Sequence, residues 1–127
     1  MNIKNIITWL MVLGYVILNS FGALAIKSCL NKLGEIKLES SKSIFFYFIE
    51  LFKAPLAIIG FFAIFLSAFI WMAALSRMEI SIAYPAAIAL NFAIVVIIGL
   101  LLFSETLTIT KIAGIILILI SIFLLSR

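Results

Sequence analysis

The sequence predicts an all-α membrane protein: one domain over residues 1–127, four transmembrane helices, working as a dimer of four-helix bundles. Three observations carry this. Of the 127 residues, 67% are hydrophobic and only 11% charged, far more apolar side chain than a soluble core needs, so the solvent is lipid. Four runs, at about 6–26, 54–75, 80–103 and 108–125, reach the length of ~20 apolar residues that a membrane helix requires. The last two links, SRME at 76–79 and SETL at 104–107, force antiparallel neighbours, so the last three spans are expected to form an up-down-up set. Four spans leave little room for both a cavity and its wall, which favours a dimer.

Composition also excludes. A net charge of +4 reads as the basic excess of membrane-protein loops, not as a nucleic-acid footprint. A single cysteine, Cys29, rules out an internal disulfide and a cysteine-based metal site. With no histidine, zinc, haem and Ser-His chemistry lose their commonest ligand or base. Neither a metal, a cofactor nor an enzymatic reaction is expected. The N-terminus does not read as a cleavable signal: Lys4 is a weak basic start, and the apolar run is too long.

Span one carries Asn19, Gly22, Ala23 and Lys27. Lys27 fits two readings, a point charge for an anionic headgroup or a side chain that snorkels to the interface from the end of its span. The stretch 31–53, NKLGEIKLESSKSIFFYFIELFK, is polar first and amphipathic second. Phe45, Phe48, Ile49 and Phe52 share one helical face, and Glu50 and Lys53 another. It is either a helix lying in the membrane interface or an N-terminal extension of span two; Pro55 favours a break, since proline is tolerated in a first turn.

Span three contains SIAYPAAIALNF. Tyr84, Ile88, Asn91 and Val95 follow one helical face, and Pro85 frees the carbonyl at position 81. The stretch is expected to kink at Pro85, with a polar stripe aimed at other helices. Asn91 either lines a substrate path or clasps a neighbouring helix. Glu105 reads as a gate residue or as part of the turn that, with Thr106 or Thr108, starts span four. In span four, Gly114 and Ser121 place small residues on one face, a helix-packing seam suited to a subunit contact. Lys4, Arg77 and Arg127 fall on the side of the termini, and Lys27, Lys32, Lys37, Lys42, Lys53 and Lys111 on the other. That bias favours both termini facing away from the cytoplasm and leaves the opposite insertion open.

Polar side chains within lipid are functional candidates by default. They are Asn19, Ser20, Lys27, Ser67, Tyr84, Asn91 and Ser121, with no carboxylate deep in any span.

The ordered set Trp71 to Pro85 (WMAALSRMEISIAYP), Ala89 to Phe92 (ALNF), Leu101 to Glu105 (LLFSE) and Ala113 to Ser121 (AGIILILIS) resembles the drug/metabolite transporter superfamily. Within it, the chain looks like the four-span branch of small-multidrug-resistance type. Proton-coupled exporters of that branch carry a glutamate two turns before a lysine; aligned on Lys27, that position is Asn19, so the coupling carboxylate is missing. The pattern is closer to flippase subunits for aminoarabinose linked to undecaprenyl phosphate, through Gly22, Lys27, Ile82–Pro85 and Leu90–Phe92. Ala23 and Ile26 stand where those subunits have glutamines. The resemblance implies a multi-pass protein of a bacterial or archaeal cytoplasmic membrane, a homodimer or a heterodimer with a sister chain, and membrane lipid as surroundings. The function expected is flipping of a polyprenyl-phosphate-linked sugar or related anionic lipid, with Lys27, Tyr84, Asn91 and Asn19 as substrate-binding residues. The alternatives are export of a small molecule or cation, and a non-transporting partner of a paralogous transporter.

Overall fold

In the computed structural model, which describes residues 3–125, the chain is helical from end to end apart from short links. The first helix, α1 (Ile3–Leu33), has 31 residues. At 1.5 Å per residue that is about 46 Å, more than the ~30 Å hydrocarbon core. It therefore overruns the expected 6–26 span, and residues 31–33 belong to it. Lys27 is nearly two turns before its end rather than at it. Gly34, with φ +80°, stops α1 as a left-handed cap whose N–H donates to the Leu30 carbonyl at 2.9 Å.

Residues 34–40 are irregular, and α2 (Ser41–Lys53) follows, its first turn capped by Ser40, whose Oγ accepts the Ser43 N–H at 3.3 Å. It ends at Ala54, where ψ is 118°, and Pro55 opens α3 (Pro55–Leu75). The extended backbone at Ala54 overturns the reading of α2 as a continuation of the second span. Leu51 is the buried residue of α2, packed with Cys29 and Ala57. Phe45, Phe46, Phe48 and Phe52 are exposed. The Tyr47 hydroxyl donates to the Gly34 carbonyl at 2.6 Å, tying α2 to the end of α1.

The core is built from small residues. α1 and α3 meet at Gly22 and Gly60: a Cβ on Gly22 would sit 2.5 Å from the Gly60 carbonyl oxygen, and one on Gly60 2.8 Å from the Gly22 oxygen. Ala25, Ala57, Ala63 and Ser67 are buried around this crossing, which allows the backbone approach that stabilises helix pairs in lipid. α4 (Ile80–Leu102) presents Ala83, Ala86, Ala87 and Ala89 inward. Val12, Val16, Ala74 and Ala87 form a second buried cluster.

α3 and α4 run antiparallel as expected, but they are not the tight neighbours that the short link suggests. α1 has its largest interface with α3 and its second with α4, whereas α3 and α4, joined by four residues, touch far less. The short link fixes their direction but not their contact; α1, with the better-fitting small-residue face, lies against both. α1 and α4 are parallel and α3 antiparallel to them, since Tyr15 and Tyr84 both approach Trp71 while Ser20 meets Asn91.

Helix α4 runs through Pro85 as one element. Proline in its second turn forfeits only the bond to the carbonyl of residue 81, so the helix is not divided there. α5 (Ile109–Leu125) has 17 residues, about 26 Å. Three helices, α1, α3 and α4, are long and apolar enough to cross a membrane, and α5 is apolar but shorter. Among the described residues it packs on α4. Within the chain the seam expected there does not form: a Cβ on Gly114 would meet nothing within 4 Å, and the Ser121 hydroxyl donates to the Leu117 carbonyl of its own helix at 2.8 Å. Arg127 lies outside the described residues. Lys4 and Arg77 lie at one end of the molecule, where a 220 Å³ cavity is lined by Asn5, Thr8 and Arg77; Lys27 and Glu105 lie at the other.

Candidate functional site

The polar residues of α1 and α4 occupy three levels. At the first, the rings of Tyr15 and Trp71 are 4.8 Å apart and those of Trp71 and Tyr84 6.1 Å apart. Tyr84 is 55% exposed, on the rim of this aromatic group.

At the second level, Ser20, buried at 1% exposure, donates its hydroxyl proton to Asn91 Oδ1 at 2.6 Å. The Asn91 carbonyl is thus engaged across the α1–α4 interface. Asn19, half-buried beside Ser20, turns to a different side of α1, one turn before Ala23.

The third level is charged. Lys27 Nζ lies 3.5 Å from Glu105 Oε1 and 5.9 Å from the centre of the Phe103 ring. Glu105 reaches this place because the chain reverses sharply after α4. The Phe103 and Glu105 N–H groups both donate to the Gly99 carbonyl, at 3.1 and 3.4 Å, and Ser104 adopts φ +51°, the left-handed region that a non-glycine residue occupies at a cost of about 1–2 kcal/mol. Gly99 supplies the seat: a Cβ there would lie 3.2 Å from Glu105 Oε2. Thr108, not Glu105, caps α5, its Oγ1 accepting the Lys111 N–H at 3.3 Å.

Two cavities adjoin these groups. One, of about 410 Å³, is an apolar groove between α1, α4 and the start of α3, lined by Ile17, Phe21, Leu24, Leu56, Ile94 and Ile98, with Ser20 and Ser28 on its wall. The other, of about 220 Å³, holds Lys27 and Glu105 together with Ala23, Val95, Gly99 and Phe103. Leu24 lines both.

Lys27, Tyr84 and Asn91, expected to converge on one headgroup, are therefore strung out. Tyr84 and Asn91 are seven residues apart on α4, and Ser20 and Lys27 seven apart on α1, so each step is about 10 Å. A headgroup held by Lys27 is beyond the reach of Tyr84. Sequence reasoning did not assign Ser20, Gly60 or Phe103 to any site. Ser20 was visible as a polar residue in a span, but which face of α1 meets Asn91 depends on helix rotation. Gly60 carries no signal beyond being small. Among the described residues, no three His, Cys, Asp or Glu side chains group as a metal site. Comparison with protein-family models, curated proteins and solved structures finds no match to this chain.

Proposed function

We propose that the chain is a membrane transporter of the drug/metabolite type. In this reading four membrane-spanning helices form a bundle that pairs with a second chain, either a copy or a sister, in a bacterial or archaeal cytoplasmic membrane. Its cargo is an amphipathic anionic lipid such as a polyprenyl-phosphate-linked sugar, moved between leaflets without covalent change. α5, at 17 residues, crosses only if the bilayer thins locally or its flanking residues snorkel.

One observation carries the reading: an apolar groove beside a cavity that contains a lysine. Such a pair suits a ligand with a hydrocarbon tail and an anionic head, the tail along Ile17, Phe21 and Ile94 and the phosphate at Lys27. Ser20 and Ser28 give the apolar wall polar points along the path. Sequence resemblance over Trp71–Pro85 and Ala89–Phe92 adds to it, as does Asn19, which cannot titrate in place of a coupling carboxylate.

The aromatic group of Tyr15, Trp71 and Tyr84 favours a second reading, export of a small organic cation, because ring faces attract cations. The two are separated by reconstitution into phosphatidylcholine vesicles. A fluorescent polyprenyl-phosphate sugar in the outer leaflet should become protected from a membrane-impermeant quencher, and Lys27→Gln should slow this about tenfold. A quaternary ammonium gradient should leave the vesicles unloaded. Cation uptake without lipid movement would replace the first reading by the second.

A further inference from the structure

The charged cavity already contains an anion of the protein's own. Lys27 and Glu105 are 3.5 Å apart, their side chains 48% and 43% exposed, and both line the same space. Three separate features put the carboxylate there. Ser104 takes a left-handed conformation that turns the chain back. The Glu105 N–H bonds to the Gly99 carbonyl. Gly99 has no side chain where the carboxylate lies. A turn that merely joined two helices would need none of these to converge on a lysine of a third helix. Among the described residues α5 has no packing contact with α1; this ion pair, together with Lys27 against the Phe103 ring, joins the α4–α5 turn to α1.

We infer that Glu105 is a tethered competitor for the anion site at Lys27, so that it sets how strongly charged a headgroup must be to enter. This rests on the transport reading above and adds to it a residue that determines specificity. An incoming phosphate must displace the carboxylate from Lys27 and also tolerate its negative charge nearby. A weakly anionic or neutral head gains too little at Lys27 to do so. Once displaced, Glu105 no longer holds the α4–α5 turn against α1. Loading the site and loosening that turn are then one event.

The test is binding of dodecyl phosphate, with a single tail and a phosphate head, to the purified full chain in neutral detergent, followed by calorimetry. Inorganic phosphate serves as the head-only control, and dodecyl maltoside as the control with the same tail and a neutral head. The parent should bind dodecyl phosphate and neither control. Glu105→Gln should bind it about two- to fivefold more tightly, the scale of removing a partly exposed competing charge, and Lys27→Gln should abolish binding in both backgrounds. Gly99→Ala, which crowds the carboxylate from its seat, should shift affinity in the same direction as Glu105→Gln while keeping the charge. Binding that needs Lys27 but is equal or weaker in Glu105→Gln overturns the competitor and leaves the transport reading standing. Absence of Lys27-dependent binding in both the parent and Glu105→Gln overturns the transport reading and the competitor with it. Inorganic phosphate binding as tightly as dodecyl phosphate would show that the groove takes no tail, and would remove the lipid as cargo.

Discussion

Ser20 and Asn91, 71 positions apart in sequence, share a hydrogen bond of 2.6 Å across the α1–α4 interface. Where water is absent, each group would otherwise be left with a local bond or none. The Ser20 hydroxyl can turn back on its own helix, but the Asn91 Oδ1 acceptor finds no free backbone N–H in a helix interior. The pair is expected to contribute about 0.5–1.5 kcal/mol, the range of interhelical hydrogen bonds in membranes. Ser20→Ala and Asn91→Leu should each destabilise the bundle by about that much, and the double variant by scarcely more than either. Unfolding in mixed micelles measures this cycle; additive losses would show that the two residues act independently.

The contact of Gly22 with Gly60 makes a larger prediction. A methyl group at Gly22 would sit 2.5 Å from a backbone oxygen and 2.6 Å from Ile64 Cγ1. Ile64 can rotate, but a carbonyl in a helix cannot move without carrying α3 along. Gly22→Ala should cost about 1–3 kcal/mol, the usual penalty of overpacking. Gly14→Ala, with nothing within 4 Å of the added atom, should be neutral or slightly stabilising through helix propensity. Equal stability of the two variants in the same unfolding assay would mean that α1 and α3 do not approach as closely as described.

What the sequence made legible follows from the physics of each signal. Apolar runs bounded by SRME and SETL located α3 and α4 to within a residue, because hydrocarbon imposes length and the polar links impose ends. Pro55 marked the start of α3 for a local reason, its fixed φ and missing N–H. The extent of α1 was not legible: Ser28 to Leu33 lack an apolar periodicity, and helix continues there until Gly34 supplies a left-handed cap. Nor was helix pairing. The short 76–79 link suggested α3 against α4, but the choice of α1 as common neighbour depends on rotation about helix axes, which a run of Leu, Ile and Phe leaves undetermined. Lys27 stood out as a cation in an apolar region. Its partner Glu105 could not be deduced, because the reversal at Ser104 uses a conformation that serine seldom adopts.

The α2 helix gives a prediction about the membrane surface. Its Leu51 faces the protein while Phe45, Phe48 and Phe52 remain exposed, with Phe52 stacked on Phe61 at 5.0 Å. An exposed aromatic row on a short helix ahead of a spanning one suits burial at the headgroup boundary, about 5–10 Å deep. With the native Trp9 and Trp71 replaced by phenylalanine, Phe45→Trp should show blue-shifted emission in vesicles and be quenched best by lipids brominated near the headgroup. Glu50→Trp, on the other face, should emit as in water. Identical emission from the two positions would place α2 in the aqueous phase.

The last prediction concerns α5, which among the described residues packs on α4 and has no fully buried side chain. Gly114 is the informative position. It is half-buried, yet an added Cβ there would meet nothing within 4 Å, so a side chain can leave the backbone there without a clash within one chain. If α5 is the subunit contact, the clash appears only in the dimer, where small residues let two backbones approach. Gly114→Leu should then leave the folded monomer as stable as the parent and weaken association at least tenfold, read by cross-linking yield as the protein is diluted into lipid. Ile116→Leu, a volume-conserving exchange one turn-face away, should leave both unchanged. A Gly114→Leu protein that associates like the parent would move the interface off this face of α5. A variant that unfolds even at high dilution would mean that Gly114 is packed inside the chain.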